Sequence, residues 1–226
     1  MWERSGWAGK LLAMAGTPYT AQDAAYWYVP LARAVPAAVL TGVITFAGGH
    51  YSPDFGLVAF GGFALIAGLI GSLLSLRALG GVDRTVFLLQ GIISIVAGVA
   101  ALVGSALAGH QSTLALFLVL VSSWAALAGF LELYVGLRER RVLAASRDWV
   151  FIGALTALFA IVTLVIPPGY VQHYTGPDGD PRILNASVMV VGALGVYGAI
   201  STVYLVIAAL SLKWGPSAVT RNGTAA

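Results

Sequence analysis

The sequence predicts an all-α protein, a polytopic membrane bundle of six transmembrane helices arranged as three repeated hairpins. Three observations lead there. Hydrophobic residues make up 59% of the 226-residue chain and charged ones 9%, a balance that suits lipid-facing helices and leaves too little charge for a watery surface. Six apolar stretches are long enough to cross a hydrocarbon core of about 30 Å, which takes about 20 helical residues. Nearly all of the 12 lysines and arginines lie at one set of their ends.

The spans run over Leu31–Ala47, Phe55–Leu76, Val86–Ala108, Thr113–Leu137, Val150–Pro167 and Ala186–Leu212. The first and fifth are the shortest and lean on flanking aromatics. Each is helical, because lipid offers no partner to an open backbone N–H or C=O. With the N-terminus in the cytoplasm, that side holds Arg4, Lys10, Arg33, Arg77, Arg84, Arg138, Arg140, Arg141, Arg147, Lys213 and Arg221, and the other side only Arg182. Cations concentrate on the cytoplasmic side of membrane proteins. Both termini are therefore expected in the cytoplasm, with tips around residues 48–54, 109–112 and 168–185 facing out. The formal charge of +3 reports this membrane-surface asymmetry, not nucleic-acid binding.

Residues 1–30 form an interfacial segment, 31–213 the membrane domain and 214–226 a cytoplasmic tail. In the first, Trp2, Trp7, Leu11, Leu12 and Met14 make one apolar face, with Tyr19, Tyr26, Trp27 and Tyr28 at headgroup level. Lys10–Ala15 is too short for the apolar core of a secretory signal.

The return helices of the hairpins correspond. Phe63 precedes Gly68, Trp124 precedes Gly129 and Tyr197 precedes Thr202, each by five residues, and the helices exit through Arg77, Arg138 and Lys213. The second and third hairpins open alike, with Asp83-Arg84 and Arg147-Asp148 ahead of apolar runs that contain Gly91 and Gly153. Small residues four apart (Ser94/Gly98, Ala125/Gly129, Gly153/Ala157 and Gly198/Thr202) are packing faces that let backbones approach.

The run Trp124-Ala125-Ala126-Leu127-Ala128-Gly129-Phe130-Leu131-Glu132-Leu133-Tyr134-Val135-Gly136-Leu137-Arg138-Glu139-Arg140-Arg141 resembles the even-numbered helix of HdeD-type acid-resistance membrane proteins. The next helix, from Trp149 through Gly153 to Pro167-Pro168, is similar to that family's odd helix. The resemblance covers residues 83–213, and 31–80 loosely. It departs at Gly104-Ser105, where a proline is usual, in the long outer loop Tyr170–Asn185, and at Leu205, where the second hairpin has Glu132. The resemblance implies six helices, the inner membrane and a link to acid stress, and no catalytic residues.

Gln90 and Glu132 are the strongly polar side chains well inside the spans, each six residues, about 9 Å, from its cytoplasmic end. Their helices form one hairpin, so the two meet at equal depth as a candidate intramembrane pair. An intramembrane carboxylate marks a functional candidate; the structural alternative has Glu132 closing an interhelical hydrogen bond or reaching Arg77 or Arg84. His50, His110 and His173 each fall in a different outer loop. Histidine titrates near pH 6.5, so protonating all three would turn that face from net negative to net positive, a candidate pH-responsive surface. The alternative is ordinary solvated loop residues.

Other chemistries find no support. Cysteine is absent, which excludes disulfides and thiolate catalysis. The histidines lack metal-ligand spacing. Asp178-Gly179-Asp180 lacks the other ligand positions of a calcium loop, leaving a turn-rich outer loop. Asn185-Ala186-Ser187 matches a glycosylation pattern but abuts a span. Neither a Ser-His-Asp set nor a phosphate-binding glycine loop is present. The expectation is an HdeD-like, non-enzymatic protein of acid or envelope stress, without cofactor, metal or nucleic-acid partner. The alternatives are an accessory subunit docking into a larger membrane complex or a homo-oligomer, and a small transporter that uses Glu132.

Overall fold

The computed structural model describes residues 26–48, 51–107, 110–140, 145–177 and 179–214. Six helices carry the fold: α1 (Tyr28–Thr45), α2 (Pro53–Ala78), α3 (Gly81–Leu107), α4 (His110–Glu139), α5 (Ser146–Val165) and α6 (Ala186–Trp214). All six are long and apolar enough to cross a membrane, so the chain is a multi-pass membrane protein. The interfacial segment expected ahead of Tyr26 and the tail beyond Trp214 lie outside the described residues.

Apolar side chains point both inward and outward, as a bilayer solvent requires. Val35, Val39 and Val43 line the outer face of α1 at four-residue spacing, each about half exposed. The buried polar residues are mostly Ser and Thr, and several return their hydroxyls to the preceding turn, as Ser122 does to the Leu118 carbonyl at 2.7 Å and Thr156 to that of Ile152 at 2.8 Å. Each such bond gives its hydroxyl a partner that hydrocarbon cannot supply.

Helix starts follow local chemistry. Ser52 caps α2 by accepting from the Phe55 N–H at 3.1 Å, with Pro53 in the first turn. Asn185 caps α6: its Oδ1 accepts from the Val188 N–H at 3.0 Å. Between α2 and α3 the chain turns at Gly81, whose φ of +58° is open to glycine at little cost.

The tightest packing joins α2 to α3, α4 to α5 and α1 to α6, whereas the expected hairpins pair α1 with α2, α3 with α4 and α5 with α6. Glycine sets the difference. A Cβ on Gly98 would stand 2.6 Å from the Leu65 N, one on Gly129 2.7 Å from the Ala157 N, and one on Gly153 2.6 Å from the Leu133 N. Gly198 approaches the Ala37 carbonyl in the same way, at 3.1 Å. Backbones therefore touch along these three seams.

The even-numbered helices converge on the centre. Phe63 of α2, Trp124 of α4 and Tyr197 of α6 meet pairwise edge-to-face, with centroids 5.6, 6.2 and 6.3 Å apart. These are the three aromatics that occupy matching places in the return helices. Phe60 packs on Trp124 at 5.4 Å and Phe159 stacks on Tyr197 at 5.1 Å. Edge-to-face contacts add about 0.5–1.5 kcal/mol each beyond burial.

The loop after α5 departs from the turn-rich expectation. Val171–Thr175 (β1) and Pro181–Asn185 (β2) form an antiparallel hairpin with His173 opposite Ile183. Val, Tyr, Thr and Ile favour extended backbone, and Gly179, at φ +87°, closes the turn where only glycine sits easily.

Candidate functional site

The polar centre of the bundle is built from three helices. Glu132 on α4 is 2% exposed, and its Oε1 accepts from Arg33 Nη2 on α1 at 2.5 Å. Its second oxygen, Oε2, accepts from Gln90 Nε2 on α3 at 3.2 Å. An ionised carboxylate only accepts, so Gln90 turns its amide nitrogen toward Glu132 and its Oε1 away. That Oε1 is buried without a hydrogen-bond partner.

Arg33 is the residue that sequence alone misplaces. Cation counting assigns it to the cytoplasmic surface with Arg77 and Arg84, yet it sits inside α1 and pairs with Glu132. A signal existed: Arg33 is the one cation followed by an uninterrupted apolar stretch and preceded by Tyr26, Trp27 and Tyr28, which belong at the interface. Pro36 follows three residues later and is tolerated within the helix, although it forgoes one backbone hydrogen bond.

These groups line a cavity of about 100 Å³. Its floor is the Phe63, Trp124 and Tyr197 cluster, and its upper wall includes Tyr26, Phe87 and Trp149 toward the end of the bundle that carries both termini. Phe87 and Trp149 meet edge-to-face at 5.0 Å. The floor is itself tied by polar bonds: Trp124 Nε1 donates to Ser94 Oγ at 2.9 Å, and Ser94 Oγ donates to the Gln90 carbonyl at 2.9 Å. Thr156 and Tyr197 share a hydroxyl contact of 3.1 Å. Ser201, also on the lining, is buried beside the Tyr197 hydroxyl. Burial pushes the Tyr26 phenol up to about 12, so it stays a neutral donor at physiological pH.

A second polar contact lies near the same end: Tyr204 donates to Asp148 Oδ1 at 2.9 Å while its ring stacks on Phe151 at 3.9 Å.

The histidines do not converge on this site. His173 is exposed on β1. His110 begins α4, and its side chain lies outside the described residues, as does all of His50. Among the described residues, no group of three His, Asp or Glu side chains is placed to hold a metal.

Fold and site together define a class: a multi-pass helical membrane protein with a charged pair and a cavity inside the bundle. No protein-family model, curated protein or solved structure matches the chain.

Proposed function

We propose that this chain is an HdeD-like integral protein of a bacterial cytoplasmic membrane that contributes, without catalysing a reaction, to survival under acid or envelope stress. One observation carries the reading. The helix bearing the family likeness, α4, supplies Trp124 to the aromatic floor, Gly129 to a backbone seam and Glu132 to the buried ion pair. Its characteristic residues are the ones on which the bundle is organised.

Both termini are assigned to the cytoplasm. Withdrawing Arg33, now in the ion pair, still leaves ten cations on that side against Arg182 alone. A tag within residues 174–180 is then reached from outside intact cells, and a reporter after Ala226 works only if it is active in the cytoplasm. Labelling with the opposite sidedness reverses the assignment.

The stress role is tested by deleting the gene and challenging cells at low pH, with complementation by the wild-type chain and by Glu132→Ala. Acid sensitivity rescued by the wild type supports the reading. Undiminished survival of the deletion strain removes it. Flux into proteoliposomes that depends on Glu132 would move the protein to the transporters.

A further inference from the structure

We propose that the cavity beneath Gln90 and Glu132 binds a small neutral molecule that both donates and accepts a hydrogen bond, of the primary-amide class. The inference does not rest on the stress role; a protein with no acid phenotype could still bind such a ligand.

Charge comes first. Arg33 and Glu132 neutralise one another, and the Tyr26 phenol is uncharged at physiological pH. An ion entering this space would give up its hydration without a free counter-charge, which is strongly unfavourable in an apolar surround. An anion meets the carboxylate of Glu132, and a cation meets the guanidinium of Arg33. A neutral guest avoids both penalties.

Hydrogen bonding comes next. Gln90 Oε1 is a buried acceptor with nothing to accept, because its amide nitrogen is committed to Glu132. A buried polar group left unpaired costs about 1–3 kcal/mol, so a guest that donates to Gln90 recovers energy the empty site forgoes. Arg33 carries five N–H donors, and among the described residues its hydrogen bond is to Glu132, which leaves donors for the guest's carbonyl.

Size and shape complete the class. A cavity of about 100 Å³ is smaller than the ~150 Å³ that takes a benzene ring. The walls of Phe63, Phe87, Trp124 and Trp149 favour a short alkyl body over a fully polar one. A polar head at Gln90 and Arg33 with a few carbons against the aromatics satisfies every wall.

The test uses the full chain in lipid nanodiscs and four probes of five heavy atoms each: propionamide, 2-butanone, propionate and n-butylammonium. Binding is followed by saturation-transfer NMR, with empty nanodiscs as reference. Propionamide is expected to bind saturably, about five-fold tighter than 2-butanone, which lacks the donor, while both ions bind more weakly than either. Gln90→Leu should erase the preference of propionamide over 2-butanone. Gly71→Leu fills the space from another helix: Gly71 lines the cavity and a Cβ there meets nothing within 4 Å. This variant is expected to fold, since leucine is the better helix former, and to abolish binding of both neutral probes. The proposal is overturned if propionamide shows no saturable binding, if either ion binds more tightly, or if binding persists unchanged in Gly71→Leu, which would mark partition into lipid. A Gln90→Leu protein that keeps the amide preference overturns the assigned donor contact.

Discussion

Arg33 and Glu132 are 99 residues apart in the chain and form one ion pair inside the bundle, joining α1 to α4. Removing one partner leaves the other charged and buried, whereas removing both leaves only lost packing. Arg33→Ala and Glu132→Ala should each destabilise the protein by about 3 kcal/mol. The double replacement Arg33→Met with Glu132→Leu should recover most of that. Unfolding in detergent micelles measures all three; a double variant as damaged as the singles would show that the pair acts by shape and not by charge.

The Gln90–Glu132 hydrogen bond is a smaller contribution. Interhelical hydrogen bonds in membranes average about 0.6 kcal/mol, so Gln90→Ala should cost no more than about 1 kcal/mol. A double-mutant cycle with Glu132→Ala should be non-additive because the two side chains share a bond. Strict additivity would mean that the bond contributes nothing to stability.

The three close seams predict which glycines tolerate a side chain. Gly98→Leu and Gly153→Leu drive atoms into the backbone of the facing helix and should lower stability by about 2 kcal/mol or more. Gly62→Ala and Gly192→Ala meet nothing within 4 Å and should be neutral or slightly stabilising, since alanine is the better helix former. Thermal unfolding of the four variants in one detergent distinguishes the two groups.

Tyr26 predicts an alkaline limit. Burial raises its folded pKa from 10.0 to about 12, so the native state holds the phenolic proton after the unfolded state has released it. Its contribution is complete below the unfolded value and is lost as pH rises toward the folded one. Melting temperature should therefore fall between about pH 10 and 12, and Tyr26→Phe should fall less over the same range. Parallel declines in the two proteins would rule out Tyr26 as the cause.

Six apolar stretches stand out in the sequence because membrane insertion is read over about 20 consecutive residues, a local property. At the ends that carry most of the cations the helices extend a few residues beyond the apolar limits, as α3 does in starting at Gly81 where the hydrophobic run begins at Val86, since a helix continues into the interface until a turn stops it. The Gln90 and Glu132 candidates were legible for the same reason: a polar side chain in an apolar run needs no partner to be noticed. Arg33 was not. At the edge of the shortest span, the flanking residues hint that a cation is unusual but do not name the helix or the carboxylate it will meet. The β-hairpin was masked by its Gly, Pro and Asp residues, which advertise the turn and hide the two short strands.

By itself the sequence determined that the described residues hold six helices long and apolar enough to cross a membrane, because hydropathy and the demand for internal hydrogen bonds act on each segment alone. The cation asymmetry, another sum over loops, supplied the expected orientation. Only the tertiary structure decided that α1 packs on α6, α2 on α3 and α4 on α5, and that Glu132 answers to Arg33. Those outcomes depend on which glycine faces which backbone and on how far a long side chain reaches across a helix seam. Lipid gives apolar helices almost no preference among neighbours, so close contact and the pairing of a few polar groups make the choice.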